Sequence, residues 1–237
     1  MDEPTNDIFY SDFLNAKSPE EAEFFLKKME ADTNISKQVI SSRCYALLQS
    51  AAERGDAPII RWLTSVKKIN PDANEGSEAA LISLTPFELA LEYQQVKCIE
   101  VLLDANAALP KTPMHRLFDL QQKLDEVGSS VRCIRIINLL KSRAVDQNKR
   151  DRRFGNTALH CAVSKLTPMS VIKYMVEQGA DLFVKNYRGE TVLDCAIKTA
   201  ELYSEQLLPY LNSQITFQRL ADSKENVEQA SSVSLTM

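Results

Sequence analysis

Apolar residues fall along the chain in short helical stripes separated by polar breaks. In PMSVIKYMVEQGAD, 168 to 181, Ile172, Met175 and Val176 keep the three-and-four spacing of one helix face. Gly179, just past them, predicts a left-handed stop, a conformation glycine adopts without steric cost. A similar stripe runs through VKCIEVLL to Leu102 and Leu103, with Asn106 where the glycine would stand, asparagine being the next most tolerant residue there. Residues 18 to 30, SPEEAEFFLKKME, open with Ser18 as an N-cap, Pro19 in the first turn and Glu21 three residues after the cap, and carry apolar Phe24, Phe25 and Met29. YALLQSAAERGDAPIIRWL, 45 to 63, reads as two apolar helices about Gly55. From Leu220 onward ADSKENVEQASSVSLTM is polar and rich in Ser and Glu, so it is not expected to pack. The pattern predicts an all-α chain.

The stripes repeat. GNTALHCA at 155 to 162 returns as GETVLDCA at 189 to 196, a period of 34. One unit reads as turn, helix, short loop, helix, glycine-containing turn and extended loop. Thr157 and Thr191 stand where a hydroxyl can cap the first helix, and Ala162 and Ala196 are small, as close helix pairing requires. Earlier copies carry Thr85, Pro86 and Ala90 in LTPFELALEY, and Thr112, Pro113 and His115 in KTPMHRLF, whose second helix is VRCIRII at 131 to 137. The copy at 45 to 63 keeps Ala52 but has Leu47 in place of the first threonine.

This pattern resembles the ankyrin repeat, with its signature GxTPLHxA followed by a second helix and GAD. The resemblance implies a solenoid of about five helix-turn-helix repeats, roughly 43–80, 81–110, 111–152, 153–186 and 187–215. A helical N-terminal cap over 1–42 closes one end, and 216–237 is left as a flexible polar tail. The anchors Leu47, Thr85, Thr112, Thr157 and Thr191 are 38, 27, 45 and 34 residues apart, so insertions and one shortened finger are expected. One continuous stack is expected, because each repeat needs its neighbour to bury its apolar face.

His160 beside Cys161 raises the question of a thiol enzyme. Neighbours on a helix point about 100° apart, so adjacency in sequence is not a catalytic contact. Cys161 recurs as Cys195, and Cys98 as Cys133, which is how packing residues behave. The resemblance assigns His115 and His160 to the histidine of TPLH, a structural residue bonded to backbone across repeats, alongside Thr85, Thr112, Thr157, Gly179 and Thr191. No P-loop, GxSxG, HExxH or GxGxxG occurs, so no catalytic residue, cofactor or metal is assigned. Five cysteines without a CxxC pair support neither a disulfide framework nor a zinc site, and fit a reducing compartment. The rival reading, an enzyme or enzyme-regulating effector, would draw on carboxylates of the non-consensus insertions such as Asp119, Asp125 and Glu126.

Function on such a scaffold is expected to be non-enzymatic recognition of another protein through the concave face and finger loops. By motif alignment the binding positions fall on Arg152, Arg153, Phe154, Asn156, Ser164 and Lys165 in the fourth repeat. In the fifth they fall on Asn186, Tyr187, Arg188, Glu190, Lys198 and Thr199. KSRAVDQNKRDRRFGNT, 141 to 157, holds six basic residues against two acidic ones, although the whole chain has a formal charge of −4 and a pI near 5.4. The expected partner therefore carries an acidic patch, whereas a general nucleic-acid binder is not expected. A secondary candidate surface lies at Glu92 and Tyr93 or on 119–130. No apolar run approaches the roughly 20 residues of a membrane span, and the acidic start lacks the form of a secretory signal. A cytoplasmic monomer is expected. Two settings fit it: a eukaryotic adaptor or inhibitor, and an effector that an intracellular bacterium delivers into host cytosol, for which the Glu- and Ser-containing C-terminus would be the signal.

Overall fold

The structure, a computed structural model, describes residues 5–72, 84–118, 126–199 and 201–234. These residues contain helices and no strand. They fall into two compact units, Met1–Val145 and Asp146–Met237.

The first unit opens with α1 (Thr5–Leu14) and α2 (Pro19–Ala31). Ser18 caps α2 by accepting from the Glu21 N–H at 3.2 Å, and the Glu21 carboxylate reaches back to the Lys17 N–H at 2.9 Å. The buried face of α2 is Ala22, Leu26 and Met29, so Phe24 faces outward and is 54% exposed. Then come three helix pairs: α3 (Lys37–Arg54) with α4 (Ala57–Arg61), α5 (Pro86–Glu92) with α6 (Val96–Asp104), and α7 (Pro113–Arg116) with α8 (Glu126–Ser142). First helices pack on first helices, α3 on α5 and α5 on α7, and second helices likewise, α4 on α6 and α6 on α8. The boundary expected between cap and repeats at 42/43 falls inside α3, which begins six residues earlier.

The second unit pairs α9 (Ala158–Ser164) with α10 (Met169–Glu177) and α11 (Val192–Lys198) with α12 (Glu201–Ser234), with α9 against α11. Ala52, Ala90, Ala162 and Ala196, one in each of four pairs, have no exposed surface, which lets paired helices approach closely. The α7 pair has Leu117 at that position, and its first helix lasts only four residues.

The backbone repeats as regularly as the sequence. Gly55, Gln94 and Leu166 follow first helices with φ of 91°, 53° and 56°; Lys68, Asn106, Ala144 and Gly179 follow second helices with φ of 58°, 57°, 57° and 90°. After most of these stops a backbone N–H returns five residues to satisfy a helix carbonyl, as in Ala107 to Leu102 at 2.9 Å and Ala180 to Met175 at 3.0 Å. After α4 the return spans six, Ile69 to Leu63, because the last turn, Trp62–Val66, is a π-turn that absorbs one extra residue.

Past Leu211 no described side chain of α12 is buried, yet the backbone stays helical to Ser234. The polar tail expected over 216–237 therefore carries helix: its Gln, Lys, Glu and Ala residues favour the helical backbone locally, without needing a packed face. Pro209 sits within this helix, near its N-terminal end.

Candidate partner-binding edge

The motif threonines, of which Thr157 and Thr191 are expected as caps, share one geometry in three cases and depart from it in the fourth. Thr85, Thr157 and Thr191 have φ between −66° and −84° and ψ between 158° and 171°, and each hydroxyl accepts an N–H three residues on. The residues at that third position, Glu88, His160 and Asp194, return the bond to the threonine N–H and complete a capping box. This bond to the Thr191 N–H holds the Asp194 carboxyl below its ordinary value. Thr112 is the exception: at φ −137° and ψ 66° its hydroxyl makes no cap bond.

His160 is fully buried and spans two helix pairs of the second unit. Its Nδ1 accepts the Thr157 N–H at 3.2 Å, so Nε2 carries the proton and donates to the Glu190 carbonyl at 3.2 Å. Both ring nitrogens thus serve backbone groups, of Thr157 and Glu190, at the starts of neighbouring pairs. Of the cysteines, burial pushes Cys98 up to about 12 and Cys44 and Cys133 up to about 11, and it also raises Cys195. Thiols raised in this way are poor nucleophiles. His115 is also buried, at 6% exposure. Asp119 and Asp125 lie outside the described residues, as does the side chain of Glu126.

The two finger turns of the second unit are built on one device. Asp151 accepts the Arg153 and Phe154 N–H groups on Oδ1, at 2.7 and 2.6 Å, and the Asn156 N–H on Oδ2 at 2.9 Å. Asn186 accepts the Arg188 and Glu190 N–H groups on Oδ1 at 2.9 and 3.0 Å. The fingers are joined by the Tyr187 N–H, which donates to the Phe154 carbonyl at 2.9 Å, and by the Asn186 amide, which donates to Asn156 Oδ1 at 3.1 Å. Gly155, at φ 69°, lies under the Tyr187 ring, where a Cβ would come within 2.6 Å of Cδ1.

On this frame Arg152, Arg153, Phe154, Tyr187 and Arg188 are exposed. The Arg153 guanidinium lies 4.9 Å from the Phe154 ring centre, and that of Arg150 lies 5.8 Å from the Tyr187 ring centre, both within cation–π range. Ser164, Lys165 and Lys198 are exposed, whereas Asn156, Glu190 and Thr199 are half-buried and Asn186 is buried. Glu190 pairs with Lys198 and accepts from the Asn186 amide at 3.0 Å; these bonds, that from Asn186 foremost, hold its carboxyl low. Glu92 and Tyr93 lie in the first unit and are half-buried. Arg116 binds Glu92 at 3.2 Å and Glu88 at 3.4 Å, and a hydrogen bond to the Glu53 carboxylate raises the Tyr93 phenol. Sequence reasoning missed Asp151 as the organiser of its finger; its place 35 residues before Asn186, four before a glycine, is the signal that could have found it.

Residues 154–187 match the family model of the ankyrin repeat. The chain carries an ankyrin repeat at these positions. The match covers Thr157, His160 and Gly179, the stretch in which cap, inter-pair histidine and left-handed stop occur together. No curated protein matches the chain significantly. An ankyrin repeat is a protein–protein interaction module, and no described helix of the chain is long and apolar enough to cross a membrane.

Proposed function

We propose that this protein is a non-enzymatic stack of about five ankyrin repeats that binds an acidic surface of another protein through its finger edge at 150–154 and 187–188. One observation carries the reading: five basic and aromatic side chains, Arg152, Arg153, Phe154, Tyr187 and Arg188, are exposed on a backbone that Asp151 and Asn186 already hold in order. Pre-ordered arginine and aromatic side chains are the residues that dominate binding energy at protein interfaces, because little freedom is lost on contact. A merely solvated charge run needs no such ordering.

The test is to replace Arg152, Arg153 and Arg188 together by glutamate in the full chain. Binding to partners captured from cytosol weakens at least about a hundredfold, with most salt sensitivity lost, as expected when three interface arginines are reversed. The melting temperature stays within about 2 °C, since the three side chains are exposed. Lys173→Glu on the outer helix α10 changes little. Parental affinity in the triple variant sinks the proposal and moves the site to Glu92 and Tyr93 or to 119–130.

The setting we propose is the cytosol, reached by delivery from an intracellular bacterium; the Glu- and Ser-rich composition of 216–237 supports this. Deleting 221–237 then abolishes transfer into host cells while leaving melting and partner binding unchanged. Retained transfer makes the protein a resident adaptor.

A further inference from the structure

Asp151 stands between Lys149 and Arg150 on one side and Arg152 and Arg153 on the other. Its simplest role is to offset one of those charges. The geometry is more particular: three backbone N–H groups, of Arg153, Phe154 and Asn156, end on its two carboxylate oxygens, and its own N–H closes the turn on the Asn156 carbonyl at 2.8 Å. Those bonds fix the chain through 152–156, the stretch that aims Arg152, Arg153 and Phe154. The neighbouring turn manages with Asn186, which accepts only two N–H groups and turns its amide toward Asn156 and Glu190. An amide has one acceptor oxygen, so asparagine could not take all three bonds of Asp151.

We infer that Asp151 is the positioning residue of the binding edge, ordering the finger for an acidic polypeptide segment at the expense of one unit of attraction. The inference rests on the finger edge being the binding site. The two roles predict opposite signs. As a plain counter-charge, Asp151 opposes an anionic ligand, and removing it tightens binding by about two- to fivefold, the usual size of one exposed charge interaction. As a positioning residue, its removal frees two arginines and a phenylalanine that binding must then order, a loss of about tenfold or more. Ordering outweighs the charge because the site is exposed and salt-screened.

The experiment measures binding of a fluorescein-labelled deca-glutamate peptide to the full chain by fluorescence anisotropy, with melting temperatures recorded for every variant. Parent, Asp151→Asn and Asp151→Ala bind in that order of decreasing affinity, Asp151→Ala about tenfold weaker than the parent despite one more net positive charge. Asp151→Asn lies between, because its one acceptor oxygen keeps the bonds to Arg153 and Phe154. If Asp151→Ala fails to fold, the sign for Asp151→Asn decides alone. Binding by these variants as tight as the parent's or tighter, with binding still lost in the triple arginine variant, overturns the positioning role and leaves the binding edge standing. Parental binding by the triple variant, or no binding by the parent, overturns the edge itself and the inference with it.

Discussion

The two units join their helix pairs by different means. In the second, polar side chains reach backbone: His160 crosses from one pair to the next to the Glu190 carbonyl, and around the α9–α10 pair Asn148 donates to the Gly179 carbonyl, Gln147 to the Gln178 carbonyl, and the Asp181 N–H to Asn148. The first unit has bonds of this kind, from Gln49 to Leu84 and Gln95 to Glu53, but adds ion pairs between side chains, Arg116 with Glu88 and Glu92, and Arg135 with Glu100. Backbone groups are the same whatever the sequence, so a side chain aimed at them must keep its chemistry and its place in the repeat. An ion pair can exchange or lose both members together. The family model matches at 154–187, within the second unit.

The strongest test of that contrast is His160→Ala. The substitution leaves the Thr157 N–H and the Glu190 carbonyl without their ring partner and opens a cavity at a fully buried site. We expect a loss of about 3 kcal/mol in urea unfolding, against less than about 1 kcal/mol for the half-buried Cys161→Ala. A comparable loss from Arg116→Ala, whose ion pairs are partly exposed, would break the comparison.

Capping gives the next largest effect. Thr157→Ala removes a formed capping box and costs about 1 kcal/mol, whereas Thr112→Ala removes no cap bond and costs nothing on that ground. Equal losses at the two positions would show that threonine serves the motif through something other than its cap.

Acid acts more gently. The Asp194 and Glu190 carboxyls both sit below their ordinary values of 3.8 and 4.5, so each contributes stability that is fully present above its ordinary value. That stability is lost as the pH falls below those values and through the lower folded ones. The melting temperature of the parent therefore declines in this range, and less steeply in an Asp194→Asn, Glu190→Gln double variant. Identical acid profiles would remove these two groups from the account.

Much of the repeat was legible because its signals are local. Thr85, Thr157 and Thr191 bond three residues ahead, and Gly179 answers to its own φ, so short motifs contain both ends of the interaction. Phe24 misled because an apolar run of two phenylalanines does not say which of them faces the core; Ala22, Leu26 and Met29 do. At Thr112 the motif residue is present without its cap bond, because the backbone before that helix departs from the extended form of the other three. In the candidate site the exposed residue types could be read from the finger, but the role of Asp151 could not: a carboxylate among arginines reads as charge until its hydrogen bonds are known.

By itself, then, the sequence determined the helix pairs, their caps and their small contact residues, since these depend on interactions within a few residues. Tertiary structure alone decided which residues depart from rule at little local cost, such as Gln94 and Leu166 in left-handed backbone where glycine is usual. It also decided the partners of His160, Asn148 and Arg116, which lie 24 to 33 residues away in sequence. Contacts at that separation depend on how helix pairs close and pack, and no short window of sequence contains both ends.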